Sequence, residues 1–362
     1  MGKIKVGVIG VGNCFAGLYE GLEYYKKNGV DETAGLMHPE LGGYKLEDIE
    51  FVCAFDVSKQ KVGKNLIEAA YASPNEVNWI EKSKMAKTSV IVKESPVLDG
   101  VGSFVSEKFT PVVNKPIEEL KKLIKDEIKK SGACILLSYL PVGSQKATEF
   151  WAQMAIDTKC AFVNCIPVFI ASDSSWAKKF ADAKLPVVGD DIKAQVGSTI
   201  VHRTLTRLVD QRGAKIKNTY QLNVGGNTDF QNMLERSRLK SKKISKTESV
   251  QSQLKTPLDP DNIHIGPSDY IPFLHNTKLG FMRIEGNMWA NIPFNIELRL
   301  EVDDKANSGG VSVDAIRCAQ IALDRGFGGY IEGPSAYFMK HPPKQHSDDK
   351  AREMVEEFIG KE

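Results

Sequence analysis

The chain of 362 residues is too long for one ordinary hydrophobic core and fits two intimately connected domains. It has 48 Lys and Arg against 46 Asp and Glu, a formal charge of +2, so no long-range field points to nucleic acid or to an anionic membrane surface. No stretch approaches the roughly 20 apolar residues of a membrane span, and the six cysteines lack metal-site spacing and lie mostly in apolar runs, which reads as buried thiols in a reducing cytoplasm.

The first expected element is a strand from Ile4 to Ile9, which leaves no room for a signal peptide. It ends in Gly10-Val11-Gly12-Asn13-Cys14, and a helix through Leu18 and Leu22 should follow. Gly10 would allow the tight turn, and Gly12 would let a pyrophosphate approach the backbone at the helix start. The third glycine of the usual fingerprint is missing: Phe15 holds its position, and a glycine returns only at Gly17. A second strand, Ile49 to Asp56, ends on a carboxylate that would accept hydrogen bonds from ribose hydroxyls and repel a 2′-phosphate, favouring NAD over NADP. A plain strand-to-helix turn with an Asp cap is the competing reading, and the paired signals put cofactor binding ahead of it.

Two segments, about 28–45 and 73–109, read as insertions, and the second has no clear element. Leu120, Leu123, Ile124 and Ile128 recur at helical spacing. The apolar run Cys134 to Leu137 follows, then a helix through Trp151 and Met154, then the run Ala161 to Ile166. Continuous apolar strands alternating with amphipathic helices predict an α/β fold, a Rossmann-type doubly wound parallel sheet covered on both faces. After Arg212 the pattern changes. A strand is expected at Thr219 to Val224, a helix from about Phe230 to Lys240, and a Ser/Pro/Asp/Asn-rich stretch to Tyr270. Phe294, Ile296, Leu298, Leu300 and Val302 alternate with polar residues, as in a sheet whose two faces are differently covered. Helical spacing returns with Val313, Ile316, Ala319 and Leu323. The expected organisation is a dinucleotide-binding domain over 1–200, an inserted α+β catalytic and oligomerisation domain over 201–309, and a segment over 310–362 that returns to the first.

Three segments carry candidate chemistry. Gly189-Asp190-Asp191-Ile192-Lys193 precedes Gly197-Ser198-Thr199 at a helix start, where exposed backbone N–H groups could hold an anion; taken by itself the segment is better read as an ordinary acidic turn and Ser/Thr cap. Lys242 and Lys246 would share one helical face at a cost of a few tenths of a kcal/mol, a cost that a bound phosphate or oxyanion would reverse. A solvated basic helix end is the alternative. Lys340 follows Tyr337-Phe338-Met339, where apolar surroundings would depress its pKa, although such lysines more often reach solvent.

Taken together the segments resemble the myo-inositol-1-phosphate synthase family in its shorter archaeal and bacterial form. The resemblance rests on Gly7 to Cys14, Tyr139-Leu140-Pro141-Val142-Gly143-Ser144, Gly189 to Lys193, Gly197-Ser198-Thr199, Asn223 to Phe230, Ser241 to Lys246, His264 to Tyr270, Asn307-Ser308-Gly309-Gly310 and the Lys340 motif, in family order. It implies a Rossmann domain joined to an α/β catalytic domain whose sheet helps build a homotetramer. It further implies catalytic Lys242, Lys246, Lys278, Lys340, Asp191 and Asp229. The cofactor residues it implies are Gly10, Gly12, Asn13, Cys14, Asp56, Ser138, Tyr139, Asp190 and Asp304, and the substrate residues are Lys193, Gly197, Ser198 and Thr199. Phe15, Ala16 and His341 depart from the family pattern, and none of them removes a catalytic group.

The implied reaction is an isomerisation of glucose 6-phosphate to 1D-myo-inositol 3-phosphate, in which NAD oxidises C5, the ketone enolises, C6 attacks the C1 aldehyde, and C5 is reduced again. Two developing oxyanions and a phosphate dianion in one site call for several fixed cations. Lysines could supply them, or a divalent ion held by Asp191, Asp229 and Asp304. An NAD-dependent sugar-phosphate dehydrogenase is the rival enzyme reading, and a non-enzymatic NAD-sensing protein, whose lysines would face solvent, is the rival outside catalysis.

Overall fold

The computed structural model describes residues 2–30, 35–108 and 110–360, so residues 31–34 of the first expected insertion and Phe109 of the second lie outside the described residues. The strands are β1 (Ile4–Ile9), β2 (Glu40–Leu41), β3 (Tyr44–Lys45), β4 (Ile49–Asp56), β5 (Val92–Glu94), β6 (Ile135–Ser138), β7 (Ala161–Asn164), β8 (Pro186–Val188), β9 (Lys215–Gly225), β10 (Ile263–Tyr270), β11 (Thr277–Asn287), β12 (Pro293–Asp303) and β13 (Gly329–Tyr330). The α-helices are α1 (Asn13–Asn28), α2 (Leu66–Ala70), α3 (Ile117–Ser131), α4 (Gln145–Thr158), α5 (Ser174–Asp182), α6 (Ser198–Gln211), α7 (Thr228–Asn232), α8 (Lys240–Gln251), α9 (Ala306–Asp324), α10 (Glu332–Phe338) and α11 (Asp348–Gly360).

Seven strands form one parallel sheet in the order β13-β8-β7-β6-β1-β4-β5, with β1 at the point where the strand order reverses. This is the expected Rossmann-type sheet. Its alternating side chains feed two buried layers, because successive residues of a strand point to opposite faces. Leu137 and Val163 join Leu18, Leu22 and Ile316 on the face covered by α1 and α9. Leu136 and Phe162 join Ile124, Ile128, Trp151 and Phe180 on the face covered by α3, α4 and α5. The 73–109 segment supplies β5, which extends the sheet beside β4.

A second sheet has the order β10-β9-β11-β12. β10 runs parallel to β9, and β11 is antiparallel to both β9 and β12. α6 and α8 pack against this sheet, burying Val209, Ile216 and Ile284 in one group and Val250, Ile263 and Ile265 in another. β12 shows the expected alternation, with its apolar residues only half-buried and the residues between them exposed. The chain then returns through α9, which lies against β6, β7 and β8 of the first sheet.

Two expectations after Arg212 need correction. The helix expected from about Phe230 to Lys240 is instead the five-residue α7, a turn at Arg236–Leu239, and α8 beginning at Lys240. Asn227 starts α7 by accepting from the N–H groups of Asp229 and Phe230, a cap that competes with any later start. The stretch before Tyr270 contains a strand, β10, whose polar composition hides it because its Asn223 contact and ladder to β9 satisfy it from the side.

Candidate active site

The cleft opens at the C-terminal end of β1, between the two sheets. Parallel sheets bind ligands at this reversal of strand order, where helices leave for opposite faces. Gly10 has φ 88°, and a Cβ there would lie 2.8 Å from the Tyr139 carbonyl oxygen, so only glycine fits. Gly12 is the N-cap of α1, has no side-chain cap, and faces open space. The first turn of α1 therefore presents free N–H groups to the cleft, an arrangement suited to a pyrophosphate. Asn13 is buried, its Oδ1 accepts from Glu76 N–H at 2.7 Å, and its Nδ2 has no partner among the described residues. Asp56 closes β4 and holds the turn, accepting from Val11 N–H and Ser58 N–H at 2.8 Å each, with lone pairs left over for a ribose. These residues fit a dinucleotide. Gly17 is the close-approach glycine: a Cβ would meet the Lys305 backbone oxygen at 3.3 Å, so α1 packs tightly on the start of α9.

Six lysines line the cleft, and five of them, Lys242, Lys246, Lys278, Lys305 and Lys340, have ammonium groups that are not bound outside it, as that of Lys193 is. Lys242 and Lys246 project from α8 one helical turn apart, as their spacing predicts. Lys242 Nζ donates to Asp229 Oδ2 at 3.2 Å. Lys340 Nζ donates to Asp191 Oδ1 at 2.9 Å, while Asp191 Oδ2 accepts from Ser245 Oγ at 2.7 Å. Asp191 reaches this position with φ 65°, a left-handed conformation that Asp tolerates better than most residues. Asp304 accepts from Lys278 at 3.1 Å and from Lys305 at 3.0 Å. Among the described residues, Lys246 alone of the five has no carboxylate partner, although it is only 4% exposed.

The electrostatics follow from these pairings. Burial, with Lys278, Lys242 and Lys340 close by, pushes the Lys246 pKa well below that of free lysine, and Asp191 offsets only part of this. Burial also depresses Lys340, against the pull of Asp191. For Lys242 burial is outweighed by Asp229, Asp191 and Asp304, so its pKa is raised. Five ammonium sites face three carboxylates, and such a surplus suits a polyanionic ligand.

Gly197, Ser198 and Thr199 begin α6 at the edge of the same cleft, with Gly197 as an N-cap lacking a side-chain bond and Ser198 Oγ buried without a partner among the described residues. Tyr139 also lines the cleft and donates to Ser312 Oγ at 2.6 Å. Two expected residues, Asp190 and Lys193, have side chains committed elsewhere, and a third, Ser138, is buried outside the cleft lining. Asp190 is fully buried, and its carboxylate accepts from Asn164, from the N–H groups of Ile170, Ala171 and Ser172, and from Ser172 Oγ, so it braces the 164–172 turn. The Lys193 side chain turns away from the cleft to Ala336 O at 2.8 Å and Asp348 at 3.1 Å, tying down α10 and α11. Ser138 is fully buried at the end of β6, beneath the cleft wall. The three carboxylates fit a divalent ion poorly, since each already holds an ammonium group, and among the described residues no three His, Cys, Asp or Glu side chains converge as metal ligands.

The family model for myo-inositol-1-phosphate synthase matches residues 197–305. The chain is 50% identical over 363 residues to the inositol-3-phosphate synthase of Mycolicibacterium smegmatis, covering 99% of this chain and 98% of that relative. The chain belongs to the myo-inositol-1-phosphate synthase family. It is also 49% identical over 360 residues to the inositol-3-phosphate synthase of Mycobacterium tuberculosis, covering 99% of this chain and 96% of that one. The crystal structure of an inositol-3-phosphate synthase from Caenorhabditis elegans aligns with a TM-score of 0.78 over 99% of this chain and 86% of that chain, and at 14% identity it speaks to the fold alone.

For a synthase-family chain the residue that sequence reasoning missed is Lys305. It is 2% exposed, lines the cleft, and places Nζ 3.6 Å from Cys14 Sγ. No motif marks a lone lysine between an aspartate pair and a helix, so only its position beside Gly17 could have suggested it.

Proposed function

We propose that this chain is an NAD-dependent isomerase that converts glucose 6-phosphate to 1D-myo-inositol 3-phosphate. The observation that carries this reading is the group of five lysines, three of them buried and two half-buried, facing one cleft that also receives the open N-termini of α1 and α6. A simple dehydrogenase needs one proton-transfer group and has no use for so many desolvated cations. A non-enzymatic NAD sensor would leave the lysines in water, and Lys242 and Lys246 are buried.

The chemistry NAD supplies is reversible acceptance of hydride at C5. Gly10, Gly12, Asn13, Cys14, Asp56, Tyr139 and Asp304 are the residues we assign to holding it. The α6 N-terminus at Gly197, Ser198 and Thr199 takes the phosphate. Lys246 moves the proton at O5, because its depressed pKa lets it be neutral when the 5-hydroxyl ionises. Lys242 and Lys278 stay paired with Asp229 and Asp304 and hold the enolate charge on O5. Lys340, oriented by Asp191, protonates O1 as C6 closes on C1.

The half-buried apolar face of β12, together with exposed Phe273, Trp289 and Ile292, supports assembly through the second sheet, which we assign to a homotetramer. The segments 1–200, 201–309 and 310–362 then divide into cofactor binding, catalysis with assembly, and a return to the cofactor domain. No helix among the described residues is long and apolar enough to cross a membrane. We assign the protein to the cytoplasm, a setting that suits its six free thiols.

The direct test is incubation with glucose 6-phosphate and NAD, with the product identified by NMR. An inositol monophosphate without net NADH supports the reading. A sugar lactone or keto sugar with stoichiometric NADH rejects it.

A further inference from the structure

We propose that Lys305 is a built-in cation of this site, held where α1 meets α9, and that it fills the electrostatic place a divalent ion would otherwise take. The proposal rests on the synthase reading given above. Asp304 Oδ1 accepts from Lys278 at 3.1 Å, and its Oδ2 accepts from Lys305 at 3.0 Å and from Asn227 Nδ2 at 3.3 Å. Asp229 Oδ2 is taken by Lys242, and both oxygens of Asp191 are taken, by Lys340 and Ser245. A hard divalent ion wants several oxygen ligands at once, and to gather them here it would have to displace a bound group from Asp304 or Asp191.

Lys305 is also a fixed cation in position. Its side chain is 2% exposed, and its backbone is anchored because Asp303 Oδ1 accepts the Lys305 and Ala306 N–H groups at 2.8 Å each. Gly17 lets α1 close on the Lys305 backbone, and the Lys305 Nζ to Cys14 Sγ distance of 3.6 Å sets the ammonium beside the first turn of α1. Cys14 and Asn13 belong to the turn that fits the pyrophosphate, so the charge sits between that turn and the lysine ring. Burial works against the charge, but Asp304, Cys14 and Asp229 outweigh it and keep the group protonated throughout the working pH range. A cation here complements the cofactor phosphates and the negative charge that develops on the sugar, and it carries no desolvation step at the moment of reaction.

The test compares wild type with Lys305→Ala and Lys305→Arg, each stripped of metal with EDTA. Wild type should keep its turnover under chelation and show no tight Mn²⁺ site in an electron paramagnetic resonance titration. Lys305→Ala should lose about 10²–10³ in metal-free turnover, the loss typical of deleting one such charge donor. It should also acquire a Mn²⁺ site through the freed Asp304 oxygen, and added Mn²⁺ should restore part of its activity. A merely structural lysine would give no such rescue. Lys305→Arg should stay metal-independent. Chelation that abolishes wild-type turnover, or a Lys305→Ala variant with full metal-free turnover, overturns the proposal. If Lys305→Ala does not fold, the wild-type chelation and Mn²⁺ titrations still decide it. Absence of any synthase activity in wild type would instead reject the functional reading, and the Mn²⁺ titrations would judge Lys305 independently.

Discussion

Asp190 and Asp191 are neighbours with the same side chain, yet one is saturated by the 164–172 turn and the other holds Lys340. Sequence spacing has no means of separating them, because the difference lies in the φ of 65° at Asp191, which turns consecutive side chains apart. Lys193 was likewise legible only as a basic residue near a helix start, and its partner Asp348 lies 155 residues away. The motif lysines were legible because two share a helical period and the family resemblance carried the others. Lys246 gives the sharpest prediction at this scale. Its folded-state pKa lies below the ordinary value of 10.5, so the unfolded chain binds a proton that the folded chain resists. The resulting penalty on stability is complete below the folded pKa and fades as pH rises toward 10.5. Lys246→Met should therefore raise stability at neutral pH by about 1–2 kcal/mol while lowering turnover by about 10²–10³. The gain should shrink at high pH, as urea denaturation across a pH series would show. A destabilised variant, or one with normal turnover, would remove Lys246 from the site.

At the scale of elements, the parallel strands β1, β4, β6 and β7 were legible because strands buried on both faces are continuously apolar. β10 and β11 were not, since Pro267, Ser268 and Asp269 in one and Gly280 and Gly286 in the other are poor strand formers kept in place by their neighbours. Gly280 shows the reason: a Cβ there would collide with Ser198 Oγ, so the strand passes directly beneath the α6 N-terminus. The β1–α1 turn offers the test at this scale. Gly10→Ala forces a side chain to φ 88° and against the Tyr139 carbonyl, which should cost about 1–3 kcal/mol and open the turn. Chemical denaturation should register the lost stability, and a fluorescence titration should register weaker NAD binding. Unchanged NAD affinity would place the dinucleotide elsewhere.

At the scale of the whole molecule, the two sheets meet across one cleft, and α9 joins them by running from Ala306, just past the end of β12, back onto the first sheet. This return was legible in the helical spacing after Gly310. What covers β12 was legible only as an unexplained alternation, because the partner of a half-buried face is not encoded in local pattern. Assembly through this sheet predicts that Leu298→Lys, a charge placed among the half-buried residues of β12, shifts the protein from tetramer to smaller species in light scattering at micromolar concentration. An active wild-type monomer at assay concentration would contradict the assembly. The central claim is that C5 is oxidised and reduced within one closed turnover, and an isotope at that carbon tests it directly. Glucose 6-phosphate deuterated at C5 should yield inositol monophosphate that keeps the deuterium on the ring carbon next to the phosphorylated one, with no NADH accumulating. Deuterium recovered in free NADH, with no inositol phosphate formed, would contradict the account.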